Sequence, residues 1–167
     1  VFGGMTDAST YTGSGFAYSF GSGAISTLPD ASGPEPRAHH ASAWTGTEML
    51  IWGGEDLDGL RNDGAVYTPG SGWSPIAAAG APSARDGCVH VWTGDVWVVW
   101  GGTADSTGAQ LDPALNQWTA TPTAAAPEPR WEAGAVWLGD RMLVFGGRDT
   151  SGKPLRSAGA YVPIGPQ

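Results

Sequence analysis

Short apolar runs that end in a pair of glycines recur along this chain. Leu50-Ile51-Trp52, Val98-Val99-Trp100 and Leu143-Val144-Phe145 each precede Gly-Gly, and Val1-Phe2 does so at the start. Apolar residues at consecutive positions predict strands that are covered on both faces. A turn sequence such as Thr45-Gly46-Thr47 precedes the run, and its glycine can adopt the positive φ of a hairpin. No segment combines a helical period with helix caps, so the pattern predicts an all-β chain.

An arginine lies 16 residues before the first glycine of each of the last three pairs. A tryptophan follows each arginine by seven residues, and a glycine follows it by nine. The arginines are Arg37, Arg85 and Arg130, and the second glycines of the four pairs lie at 4, 54, 102 and 147. These fixed offsets indicate an internal repeat of 45 to 50 residues.

Each repeat contains four candidate strands. They are the segment from the arginine to the tryptophan, the run into Gly-Gly, a Gly-Ala-Tyr type segment such as 64–67, and the segment around a later indole such as Trp73. Four antiparallel strands per repeat of this length predict a β-propeller. We predict a partial blade at 1–33, blades at 34–80 and 81–126, and a blade at 127–167 that lacks its fourth strand, about 3.5 blades in all.

Several spaced motifs resemble those of kelch repeats. They are Pro36-Arg37 with His40, the apolar run into Gly-Gly, and the Trp44–Met49 segment, which is similar to a bacterial variant of the repeat. The resemblance covers nearly the whole chain and implies a kelch-type β-propeller. The histidine position is occupied by Cys88 and Ala133 in the next two repeats, which departs from the family pattern.

The number of blades raises the question of how such a propeller closes. Kelch propellers usually have about six or seven blades, so the resemblance implies that this chain supplies only part of a ring. We expect it to be the C-terminal half of a larger propeller, because a last blade without its fourth strand could receive that strand from the N-terminus of the same polypeptide. The rival expectation is self-association of two copies into a ring.

Composition and charge narrow the classes of partner. Sixteen acidic residues against eight basic ones give a net charge of −8, which opposes binding to nucleic acid or anionic lipid. No apolar run approaches the roughly 20 residues of a membrane-spanning helix, so we predict no membrane insertion. Nine tryptophans and 41% hydrophobic residues favour a packed fold despite 27 glycines and 13 prolines. The single Cys88 excludes an internal disulfide and a multi-cysteine metal site.

The pattern gives little support to catalysis, a cofactor or a metal. His39 and His40 are neighbours on a predicted strand, so they point to opposite faces and cannot chelate one ion together. Asp56-x-Asp58-Gly59 lacks the remaining oxygen ligands of a calcium loop, and we favour an Asx turn there. No Gly-x-Ser-x-Gly elbow or dinucleotide-binding glycine motif occurs. Cys88 occupies a scaffold position and is expected to be packed.

The arginines have two possible roles. A guanidinium at the start of each blade can bind carbonyls or a carboxylate and connect blade to blade, which is the role we favour. Alternatively, the arginines and the two residues after each of them line one mouth of the propeller and bind a ligand. The resemblance implies that this face and the loop after Gly-Gly contribute to recognition. The predicted binding residues are Arg37, His39, Arg85, Asp86, Arg130, Trp131 and Glu132.

From these features we expect a non-enzymatic binding module that presents loops and strand starts to a protein, peptide or glycan. One alternative is a fragment of a kelch-type sugar-processing enzyme, an epimerase or an oxidase. Another is a structural protein that completes a ring by oligomerisation. The resemblance to bacterial repeats further implies a secreted or cell-envelope location.

Overall fold

The computed structural model describes residues 1–29 and 31–164. In this part of the chain 17 strands and no helix are found, which confirms the all-β prediction. Accordingly, none of the described residues lies in a helix that is long and apolar enough to cross a membrane. The strands form small antiparallel sheets that follow one another along the chain and are called blades 1 to 4 below.

The strand bounds follow the repeat. Blade 1 contains β1 (Met5–Asp7), β2 (Thr10–Tyr11), β3 (Phe16–Tyr18) and β4 (Ile25–Thr27). Blade 2 contains β5 (Ala41–Trp44), β6 (Met49–Trp52), β7 (Glu55–Asp56), β8 (Gly59–Leu60), β9 (Gly64–Thr68) and β10 (Gly72–Pro75). Blade 3 contains β11 (Val89–Trp92), β12 (Trp97–Trp100), β13 (Gly108–Asp112) and β14 (Gln117–Ala120). Blade 4 contains β15 (Gly134–Trp137), β16 (Met142–Phe145) and β17 (Ala158–Tyr161).

Blades 2 and 3 are four-stranded antiparallel meanders with the orders β5-β6-β9-β10 and β11-β12-β13-β14. Blade 4 has the order β15-β16-β17 among the described residues. The first strands of successive blades approach one another, since β11 contacts both β5 and β15. The first strands therefore lie along a common inner edge. In the first two repeats, the loop after Gly-Gly forms a short hairpin, β1–β2 or β7–β8.

The hydrophobic core lies between the blades. In β12, Trp97 and Val99 pack in a cluster shared with blade 2, whereas Val98 and Trp100 pack in a cluster shared with blade 4. All four side chains are buried, because successive residues of a strand point to opposite faces and each face has a neighbouring sheet. This arrangement confirms the expectation of coverage on both sides for the runs in β6 and β12. In β16 the expectation is wrong for Phe145, which is exposed.

The outer faces of the first and last sheets carry exposed apolar side chains. Phe16, Tyr18 and Ile25 are exposed on blade 1, and Val136 and Phe145 are exposed on blade 4. Apolar patches of this kind often mark contact surfaces. Completion of the ring by further blades or by a second copy stays a prediction.

A buried arginine organises each of blades 2 to 4. In blade 3, Arg85 donates from Nε to the carbonyl of Ser83 at 2.9 Å and from Nη1 to those of Gly101 and Thr107 at 3.0 and 2.8 Å. The carbonyl of Arg85 accepts the N–H of Gly54 at 2.8 Å, and Gly54 belongs to blade 2. Arg85 thus joins the end of its own second strand to the start of its third, and also joins blade 3 to blade 2.

The same bonds recur in the neighbouring repeats. Arg37 and Arg130 donate to the first glycine carbonyl of their own pair, Gly53 and Gly146, at 3.1 and 2.9 Å. The blades differ in the side chain that precedes the third strand. Arg37 pairs with the carboxylate of Asp63, whereas Arg130 donates to the hydroxyl of Ser157. The geometry therefore gives the arginines the scaffold role that we favoured from the sequence.

Glycine is required where strands β12 and β13 meet. Gly108 lies opposite Trp100, and a Cβ at Gly108 would overlap the carbonyl oxygen of Val99. We therefore expect Gly108→Ala to lower the free energy of unfolding by about 1 to 3 kcal/mol through overpacking. Gly21→Ala is the matched control, because a Cβ there would meet open space. Urea denaturation of both variants tests this, and equal midpoints would contradict it.

Replacement of a buried arginine should be more damaging than replacement of an exposed one. Arg85→Met leaves three backbone carbonyls without their donor, so we expect a loss of about 3 kcal/mol in the free energy of unfolding. Arg141→Met is the control, since Arg141 is exposed and, among residues 1–29 and 31–164, its side chain pairs only with its neighbour Asp140. An exposed pair contributes about 0.2 to 1 kcal/mol. Chemical denaturation that shows similar losses for the two variants would refute the scaffold role.

Candidate functional site

The second residue after each buried arginine has a left-handed backbone conformation. His39, Gly87 and Glu132 have φ values of 55°, 54° and 52°, so the conformation is a property of the repeat. Glycine adopts it without strain, whereas a residue with a Cβ does so at a cost of roughly 1 to 2 kcal/mol. Blades 2 and 4 thus have His39 and Glu132 at a position that glycine would occupy without strain, and such strain is commonly found at binding sites.

Each of these two side chains pairs with the residue that directly follows Gly-Gly in its own blade. In blade 2, Nδ1 of His39 lies 3.1 Å from Oε1 of Glu55. In blade 4, Nε of Arg148 donates to Oε2 of Glu132 at 3.1 Å. The acidic partner comes from the loop in blade 2 and from the strand start in blade 4. The same two repeat positions therefore carry pairs of opposite orientation.

Blade 3 has no such pair, and a depression lies there. Gly87 has no side chain to fill the space between the His39–Glu55 and Glu132–Arg148 pairs. The resulting depression has a volume of about 430 Å³, and its lining includes His39, Asp86, Trp131, Glu132 and Arg148. We call it the rim depression. The N–H of Gly87 donates to the carbonyl of His39 at 3.2 Å, which fixes the floor of the depression to blade 2.

The electrostatic character of the rim depression is predominantly acidic. Carboxylates of Glu55, Asp86, Glu132 and Asp149 lie in or beside it, against the guanidinium of Arg148. Burial raises the pKa of Asp86, and the charge of Glu55 raises it further. The carboxylate of Asp86 has no hydrogen-bond or ion-pair partner on another residue within 1–29 and 31–164. The charge of Asp86 is therefore not balanced by an ion pair with any of the described residues.

The predicted binding residues divide into two groups. His39, Asp86, Trp131 and Glu132 come together around the rim depression. Arg37, Arg85 and Arg130 do not, since they are only 0 to 1% exposed and direct their guanidinium groups to backbone carbonyls. The structure therefore corrects the ligand-binding expectation for the three arginines, because their N–H groups are already engaged inside the scaffold.

Glu55 and Arg148 were missing from the predicted set. The sequence signal that identifies them is their shared offset, the first position after the second glycine of each pair. The second strand runs antiparallel to the first, so it ends beside the start of the first strand. This brings the residue after Gly-Gly next to the second residue after the arginine. The pairing is therefore a property of the folded blade.

Other singled-out residues have scaffold roles. Oδ1 of Asp56 accepts the N–H of Asp58 at 2.9 Å, and Asp56 also pairs with Arg61, which confirms the predicted Asx turn. Cys88 is packed in the cluster between blades 2 and 3, and burial raises its pKa to about 11. Burial likewise lowers the pKa of His40 to about 4, so this imidazole is neutral at pH 7.

The comparisons with known proteins agree with the repeat geometry. A family model described as the KLHDC2/KLHL20/DRC7 kelch-repeats domain matches residues 1–147. A search of curated proteins finds no match to the chain. The matched span contains all four Gly-Gly pairs and the three buried arginines. The chain therefore belongs to the kelch-repeat family.

Proposed function

We propose that this kelch domain is a protein-interaction scaffold that recognises a basic protein segment at the rim depression. Kelch domains generally mediate protein interactions, which supports a protein or peptide as the ligand. The observation that carries the finer proposal is the excess of carboxylates over cations around an open depression of about 430 Å³. A lysine or arginine side chain from a partner fits this charge and this space.

Asp86 is the anchor of the proposed site. Its carboxylate is partly buried at the edge of the depression and has no partner cation among the described residues. Glu132 is already paired with Arg148, but both side chains are more than half exposed, so an incoming cation can compete for this carboxylate. Charge-assisted hydrogen bonds to a guanidinium or ammonium are among the stronger polar contacts.

Trp131 gives the depression an aromatic wall. It directly follows Arg130, and its backbone N–H and carbonyl pair with those of Arg148 at 3.0 and 2.9 Å. The backbone of Trp131 is thus fixed by an isolated β-bridge. Cation–π contact with an indole stabilises a bound lysine or arginine by about 0.5 to 2 kcal/mol. Acidic groups and one aromatic side chain together favour a basic segment over a neutral glycan.

Peptide binding measured by fluorescence anisotropy tests the proposal. We expect the domain to bind dye-labelled peptides rich in lysine and arginine, and affinity should fall as salt is added because the attraction is electrostatic. The double variant Asp86→Asn, Glu132→Gln should weaken binding about tenfold, which corresponds to about 1.4 kcal/mol. Peptides with glutamate in place of the basic residues should not bind.

Asp95→Asn is the matched control. Asp95 lies in the hairpin turn between β11 and β12, at the end of blade 3 that is opposite Gly101-Gly102. Its replacement changes the net charge as much as either single replacement in the double variant and leaves the rim depression intact. Unchanged affinity in the double variant, or equal weakening by the control, would contradict recognition at the rim. Binding of neutral glycans in place of basic peptides would also overturn the proposal.

A further inference from the structure

We propose that His39, Glu55 and Asp86 form a binding site for a divalent transition-metal ion, with zinc the best fit. One nitrogen or oxygen ligand atom from each residue lies within 4.8 Å of the other two. His39 and Glu55 belong to blade 2 and Asp86 to blade 3, so the site bridges two blades. No residue pattern within one blade would contain it.

The separations are close to those of a liganded ion. Zinc bonds of about 2.0 to 2.2 Å in a tetrahedral site place neighbouring ligand atoms roughly 3.3 to 3.5 Å apart. The imidazole Nδ1 of His39 and Oε1 of Glu55 already lie 3.1 Å apart. The nearest ligand atom of Asp86 lies within 4.8 Å of both of these atoms.

The unpartnered carboxylate of Asp86 is a separate observation that points to a cation. Glu55 contacts the imidazole of His39, whereas the carboxylate of Asp86 has no hydrogen-bond or ion-pair partner on another residue within the described part of the chain. A carboxylate oxygen of Glu55 and one of Asp86 lie within 4.8 Å of each other, so the two charges repel. A divalent ion between them replaces repulsion by two favourable contacts.

The ligand set distinguishes between metals. One imidazole nitrogen and two carboxylates suit zinc and similar transition metals, whereas calcium takes about six to eight oxygen ligands. Three protein ligands leave a fourth position open, which faces the rim depression. The neighbouring charged groups are Glu132 and Asp56, and the neutral phenol of Tyr11 lies beside Glu55.

The sequence disfavours a metal because His39 and His40 point to opposite faces, but the proposed ion needs only one of these histidines. His39 and His40 indeed do not share an ion, since His39 is exposed whereas His40 is largely enclosed. The proposed ligands of His39 are carboxylates that lie 16 and 47 residues further along the chain. The proposal does not rest on basic-peptide recognition, because metal binding is measured with no peptide present.

Isothermal titration of the chelator-treated domain with zinc chloride tests the site. We expect one ion per chain and a higher melting temperature, because binding to the folded state alone stabilises it. His39→Ala and Asp86→Asn should each weaken binding by at least about tenfold. Asp95→Asn, in the hairpin turn at the opposite end of blade 3, should bind zinc as the parent does. Calcium should give no comparable heat.

Nuclear magnetic resonance of the unmodified domain gives a test that needs no variant. Zinc should shift the imidazole signals of His39 and leave those of the enclosed His40 and His90 in place. Absence of saturable zinc binding overturns the proposal. So does zinc binding that is unchanged in both triad variants, equal affinity for calcium, or a shift confined to signals other than those of His39.

Discussion

The whole arrangement depends on how three buried guanidinium groups satisfy backbone carbonyls. A charged side chain that is 0 to 1% exposed is tolerated only when its donors are used, and each arginine directs them to its own blade. Its carbonyl then receives the N–H of the preceding Gly-Gly pair. One arginine per blade thus joins the end of the second strand to the start of the third. Its carbonyl also connects the blade to the previous one. This explains why arginine and Gly-Gly keep a constant spacing.

This hydrogen-bonded frame fixes the backbone at two positions of each blade, and the side chains at these positions differ from blade to blade. They are the residue two places after the arginine and the residue after the second glycine, which meet at the inner end of each blade. In blades 2 and 4 they form polar side-chain pairs of opposite orientation, and in blade 3 Gly87 leaves the gap that becomes the rim depression. A family scaffold therefore acquires an individual site without any change in its hydrogen-bonded core. Metal and basic segment would share Asp86, so occupancy by one would disfavour the other.

Much of the fold was predictable because its signals are local and repeated. Consecutive apolar residues such as Trp97 and Val98 require a sheet on either side, and the structure places them in two different interblade clusters. The site was predictable only in part. His39, Asp86, Trp131 and Glu132 follow their arginines directly, so the repeat identified them. Glu55 and Arg148 lie 16 residues from their partners, and only the returning second strand brings them together.

By itself, the sequence determined the repeat, the all-β class, the paired strands and the family. Periodic apolar runs and turn glycines encode these properties through short-range rules of side-chain direction and backbone conformation. The tertiary structure decided the roles of the charged residues. An arginine at a strand start can bind a ligand or a backbone carbonyl. The three arginines are buried in the folded blades, so they bind carbonyls. Likewise, a histidine and two acids from different repeat positions became neighbours only because adjacent blades converge at their inner edge.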